Sequence, residues 1–106
     1  MFNYEQVHLN SKHRLDKTYL DYLHSDFKEI GHSGNIITKN DLYFIELNTF
    51  DYEIIDFEYK SLSDNCRLSV YTLINYTTNR NSRRSLLWLW YDDDWKLYFH
   101  QGTPLN

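Results

Sequence analysis

The sequence predicts an α+β fold in which helices pack on one side of an antiparallel sheet. Three observations predict it. Apolar residues in the first quarter recur at helical spacing. From Asp51 onward apolar and polar residues alternate, as strands require. Finally, the acidic run at residues 92–94 separates two strongly apolar segments, as a hairpin turn does. The order is two helices, a short hairpin, a third helix and four long strands.

Taken in order, Phe2, Gln6, Leu9 and His13 mark the first helix. Asp16 caps a second, whose stripe is Tyr19, Leu20, Tyr22 and Leu23, ending near His24. The pattern then changes. Phe27 and Ile30 flank charged residues in a short strand, Gly31 and Gly34 mark a turn, and residues 35–37 form a second short strand. Thr38 or Asn40 caps a third helix containing Leu42, Tyr43, Ile45, Glu46 and Leu47. Residues 52–61 place Ile55, Phe57 and Tyr59 on one face and Asp56, Glu58 and Lys60 on the other. Asp64 and Asn65 turn the chain. Residues 66–77 are apolar on both faces, which predicts a central strand. A turn at 79–82 leads to a strand at 84–91, the acidic turn, and a last strand at 95–101.

The last hairpin permits a register. If Tyr91 pairs with Trp95 across a three-residue turn, Leu89 faces Leu97, Leu87 faces Phe99 and Ser85 faces Gln101. On the other face Trp90 meets Lys96, Trp88 meets Tyr98 and Leu86 meets His100. One face is then aliphatic and the other aromatic. Both need cover, from helices on one side and from a pocket or a second subunit on the other.

Composition bounds the function. The 106 residues fit one domain, residues 1–106. Hydrophobic residues at 42% and charged residues at 25% describe a folded chain, not a disordered or membrane-embedded one. Ten Tyr, six Phe and three Trp, with no Ala, mean that large rings fill the core. So short a chain is marginal by surface-to-volume scaling, which leaves room for a partner subunit, and exposed Trp and Tyr on a sheet face favour a homodimer. A net charge of −4 argues against nucleic acid as a partner. The one basic cluster, Arg80, Arg83 and Arg84, reads as strand-edge charges or as a phosphate or acidic-ligand contact. Cys66 is the single cysteine, and no Cys/His zinc spacing occurs. The N-terminal segment lacks a signal-peptide core, and the longest apolar run, residues 86–91, is too short for a bilayer. The expectation is a cytoplasmic protein with no membrane partner, cofactor or metal.

Two segments carry a family resemblance. Leu23-His24-Ser25-Asp26-Phe27-Lys28-Glu29-Ile30-Gly31-His32-Ser33-Gly34 resembles the LLHPDFxEFGxSG segment of small bacterial proteins with the nuclear transport factor 2-like fold. Ser85-Leu86-Leu87-Trp88, followed by Trp95-Lys96-Leu97-Tyr98-Phe99-His100-Gln101-Gly102-Thr103-Pro104, resembles their SxxW and WxxxFHQGTP signature. The likeness spans roughly residues 5 to 106 and falls in a branch of unknown function. It implies a curved sheet of about four long strands plus a short hairpin, with three helices on one face closing a cone-shaped cavity, often in a homodimer. Relatives by fold include ketosteroid isomerase, polyketide cyclases, limonene epoxide hydrolase and scytalone dehydratase. Gly31 stands about where the isomerase carries its general-base Asp, so that chemistry does not transfer directly.

Candidate site residues follow. Glu29 shares a face with Phe27 and, if that face lines a cavity, is a general base. Otherwise it is a solvated strand charge or caps a nearby turn. His100 in the signature is an acid/base group or a hydrogen-bonded structural residue. Gln101 points to the opposite face in regular strand geometry and serves as a ligand contact or a strand-end bond. Ser33, Tyr76, Trp88 and Tyr98 are candidate ligand contacts, set against turn bonding for Ser33 and core packing for the rings. Asp92, Asp93 and Asp94 have no second ligand cluster and read as a turn. The remaining histidines, His8, His13, His24 and His32, show no metal spacing. The functional expectation is a pocket for an unknown apolar small molecule, with lyase, isomerase or cyclase chemistry. The alternative is a non-catalytic homodimeric or ligand-sensing module.

Overall fold

Alternation from Tyr52 onward becomes strand throughout. A computed structural model describes residues 18–31, 33–44 and 50–105. Its strands are β1 (Leu23–Ile30), β2 (Ile36–Thr38), β3 (Tyr52–Ser63), β4 (Cys66–Asn75), β5 (Arg80–Tyr91) and β6 (Asp94–Pro104). They form one curved sheet in the order β2-β1-β6-β5-β4-β3. All neighbours are antiparallel except β1 and β6, which run parallel. β4 has neighbours on both sides, but the middle of the sheet is β6 and β5, not β4.

Among the described residues helix is scarcer than the sequence predicts. There it amounts to a 3-10 segment, Thr18–Tyr22, and a one-turn α-helix, α1 (Lys39–Leu42). Three helices are therefore not seen. The second ends at Tyr22 because Leu23 is drawn into the sheet opposite Leu97, while Tyr19 and Leu20 stay buried against it. Phe2, Gln6, Leu9, His13 and the Asp16 cap lie outside the described residues, as do His8, His32, Ile45, Glu46 and Leu47. Thr38 does cap α1. Its Oγ1 accepts the Asp41 N–H at 3.3 Å, and Asp41 Oδ2 accepts the Thr38 N–H at 2.9 Å. The loop before β2 turns at Gly34, whose φ of +84° suits a residue without Cβ.

Two bulges decide which side chains face inward. In β3, Ile55 opposes Thr72 but Glu58 opposes Val70, so one residue is extra. Asp56 absorbs it with φ +55°. Ile54, not Ile55, therefore joins Phe57 and Tyr59 on the inner face, where Ile54 and Phe57 pack on the core. In the last hairpin Tyr91 pairs with Asp94, so the turn has two residues rather than three. Asp92 and Asp93 take φ of +55° and +62°, as a type I′ turn requires. That shifts the register by one and sets Trp88 opposite Leu97. A bulge at Tyr98 shifts it back, and Leu87–Phe99, Leu86–His100 and Ser85–Gln101 pair as expected.

The inner face carries the core. Leu86, Trp88 and Leu97 are fully enclosed, with Phe27, Tyr71, Leu73 and Tyr19 beside them. Each fully buried apolar side chain of this kind contributes about 1.5–3 kcal/mol. The outer face is mixed: Ile55, Leu68, Leu87, Leu89 and Phe99 are half-buried and Val70 exposed among Lys28, Glu58, Lys60, Arg83, Ser85 and Gln101. The expected pairing of Trp88 with Tyr98 on one aromatic face is thereby corrected. Among the described residues no helix is long and apolar enough to cross a membrane.

Candidate functional site

One row of side chains crosses the whole inner face: Ile37, Glu29, His100, Leu86, Ser69 and Tyr59. Most of it is what a core row should be. Leu86 and Ser69 are fully buried, and Ser69 Oγ accepts the Trp88 indole N–H at 3.3 Å. The polar pair at its β1–β6 step stands out. Parallel pairing puts Glu29 directly beside His100. His100 Nδ1 lies 2.6 Å from Glu29 Oε1. The imidazole side chain is 5% exposed and the carboxylate side chain 21%.

That distance is a close contact, shorter than the roughly 2.7–2.9 Å usual for a charge-assisted bond from nitrogen to a carboxylate. An ionised carboxylate has no proton to give, so the ring donates Nδ1–H to it. The bond orients the ring and holds its tautomer, so that any proton the ring exchanges is exchanged at Nε2, which is buried. A carboxylate at Nδ1 also stabilises the imidazolium formed when Nε2 takes a proton. This is the relation between base and orienting group on which acid–base catalysis relies.

The other candidates are dispersed. Ser33 is exposed in the turn before β2. Tyr76, just past β4, is 55% exposed, and its hydroxyl donates to Glu53 Oε1 at 2.5 Å. That bond and the nearby carboxylate charge hold the Tyr76 phenol above its ordinary value, with a smaller contribution from desolvation. Trp88 is enclosed in the core, beside the row that holds His100. Tyr98, the bulged residue, is 37% exposed and meets the His24 ring edge-on at 5.3 Å. Gln101 is exposed opposite Ser85, one residue from His100 and so on the outer face. The structure thus joins Glu29 to His100 and sets Trp88 near them. It leaves Ser33, Tyr76, Tyr98 and Gln101 apart from the pair.

Two open grooves lie among the described residues. One, of about 400 Å³, is bordered by Ser25, Asp26, Lys28, Thr38, Tyr98 and Phe99. Thr38, Lys28 and Phe99 stand in one row, the outer row adjacent to Glu29 and His100, so the groove is on the opposite side of the sheet. The second, of about 590 Å³, lies along β3 and β4 and is lined by Phe57, Glu58, Tyr59, Lys60, Leu68 and Val70, away from Glu29 and His100.

Sequence reasoning weighed Glu29 and His100 separately. They are 71 residues apart, and no spacing rule links them. It also placed the basic cluster at a turn and a strand end. The turn in fact covers residues 76–79, and β5 begins at Arg80, so Arg84 is well inside the strand. The signal available was alternation: Arg84, Leu86 and Trp88 share a face.

No family model and no curated protein matches the chain. Solved structures do. The chain is similar to an NTF2-like protein from Cytophaga hutchinsonii, at 19% identity and TM-score 0.80 over 98% of this chain and 94% of that one. It is similar to a candidate ketosteroid isomerase from Parabacteroides distasonis, at 13% identity and TM-score 0.82 over 99% and 85%. It is also similar to the association domain of C. elegans CaMKII, at 12% identity and TM-score 0.70 over 96% and 88%. At these identities the likeness is one of fold: the chain has the NTF2-like, cystatin-like architecture.

Proposed function

We propose that the chain is a small-molecule-binding pocket protein whose acid–base centre is the Glu29–His100 pair. The observation that carries this reading is the 2.6 Å contact between them, with His100 buried on the inner face. A core has no need of a titratable pair, since a hydrophobic pair of similar volume is often as stable or more so. His100 is the group that moves a proton, and Glu29 orients it; Trp88 packs in the core beside them. The chemistry this suits is proton transfer on an apolar ligand, of the lyase, isomerase or cyclase kind. Ser33, Tyr76, Tyr98 and Gln101 stand apart from the pair, and this reading gives them no direct contact with its ligand. The reading takes residues 1–106 as one cytoplasmic domain of the FHQGTP branch, on the strength of the two sequence segments quoted above.

The test is ligand-observed and imidazole-observed NMR of the full chain with a library of aromatic and alicyclic fragments. Binders that shift the His100 ring resonances, and lose affinity in Glu29→Gln and His100→Gln, support the reading. A library in which no compound moves the ring refutes it.

A second reading, a homodimeric association module, has its own observation. Val70 is 37% exposed among half-buried aliphatic residues of the outer face, a surface suited to a second copy. The association domain noted above shares the fold. Light scattering at micromolar concentration should give a dimer mass, and Val70→Glu should give a monomer. A monomeric parent chain removes this reading.

A further inference from the structure

A half-buried cation shares the inner face with the acid–base pair. Arg84 stands opposite Tyr71 on β4 and Gly102 on β6. Its Nε donates to Ser82 Oγ at 3.2 Å, and Ser82 is 3% exposed. Among the described residues no carboxylate comes within ion-pair distance of its guanidinium. His100 lies two residues before Gly102 on the same strand, so Arg84 and His100 are diagonal neighbours. Such positions are about 7–8 Å apart, within reach of long side chains. Gly102, directly opposite, puts no side chain between them.

A second cation flanks the row on its other side. Arg67 stands opposite Trp88, its guanidinium 4.5 Å from the Trp95 ring centroid. Its Nε is buried with no hydrogen bond. Along β4, Arg67 precedes Ser69, and Tyr71 follows it at the level of Arg84. The two arginines therefore bracket the row containing Glu29 and His100. Removing guanidinium groups from water without an anion is costly. The one carboxylate of the row, Glu29, is taken up by His100.

Resting on the pocket reading above, we infer that the ligand is a carboxylate with an apolar body. Arg84 receives the carboxylate in its planar fork, and the apolar part lies toward Trp88 and Trp95. The carboxylate gives Arg84 a counter-charge that no described residue supplies. It also fixes the ligand beside His100 Nε2, so Arg84 determines specificity.

The test is calorimetry on the full chain with two acid–amide pairs, benzoate against benzamide and phenylacetate against phenylacetamide. Each acid should bind roughly tenfold or more tightly than its amide. Arg84→Gln should erase that preference while the amides bind as before. Arg84→Lys should keep part of it, since the charge stays but the fork is lost. Circular dichroism verifies that each variant is folded, and if Arg84→Gln is not, Arg84→Lys carries the comparison. Equal binding of acids and amides, or a preference that survives both substitutions, overturns the inference and leaves the pocket reading intact. Silence from all four compounds, with the His100 ring unshifted, overturns both.

Discussion

Cutting the Glu29–His100 bond should destabilise the fold by an amount that the structure bounds. Glu29→Ala removes the acceptor from an imidazole that is 5% exposed. A hydrogen bond with a charged partner is worth about 1.5–3 kcal/mol. Glu29 is 21% exposed, so water replaces part of the loss and the lower half of that range applies, about 1.5–2 kcal/mol. At this chain length that is a fall in Tm of roughly 6–10 °C. The assay is urea unfolding followed by tryptophan fluorescence for Glu29→Ala, His100→Ala and the double variant. Their cycle should give a coupling of about 1.5–2 kcal/mol, because the pair touches directly. Glu29→Gln keeps an acceptor for Nδ1–H and should recover about half the loss. A coupling below about 0.5 kcal/mol would mean that the two side chains do not depend on each other, and the acid–base reading would lose its basis.

Three further outcomes are expected. Asp93→Gly should stabilise the chain by about 1 kcal/mol, because its φ of +62° strains a residue with Cβ; a loss in chemical denaturation would contradict the type I′ assignment. Trp88→Ala should cost about 3–5 kcal/mol, and Trp88→Phe less, since the indole is fully enclosed and bonds Ser69; a wild-type Tm in either variant would place the ring outside the core. Glu53 raises the Tyr76 phenol above 10.0, so the bond's stabilisation is complete below that pH and fades as pH climbs through the raised value. Ultraviolet titration should show a late-ionising tyrosine that moves down in Glu53→Gln, and an unchanged titration curve would contradict the contact.

Local chemistry was legible wherever it was local. Alternation from Tyr52 onward exposed the strands, and of the two candidate caps, Thr38 and Asn40, Thr38 is the one that caps α1. The acidic turn announced the hairpin but not its length. Aspartates at positive φ made it two residues, and the expected pairs near the turn slipped by one. The pairs beyond Tyr98 came out right because a bulge, invisible in composition, compensated. The same cause moved Ile54 into the core in place of Ile55.

The core, expected to be filled by rings, is shared with leucines. What the sequence determined by itself was therefore the strand content and the residue types available to a site. Short-range sterics and alternation are enough to set these. What only the tertiary structure decided was adjacency. β1 runs parallel to β6, and burial of the inner row selects the register that sets Glu29 on His100. Nothing within a few residues of either encodes that pairing. It exists because a sheet with one buried face tolerates few registers, and a one-residue slip would turn the whole row to the other side.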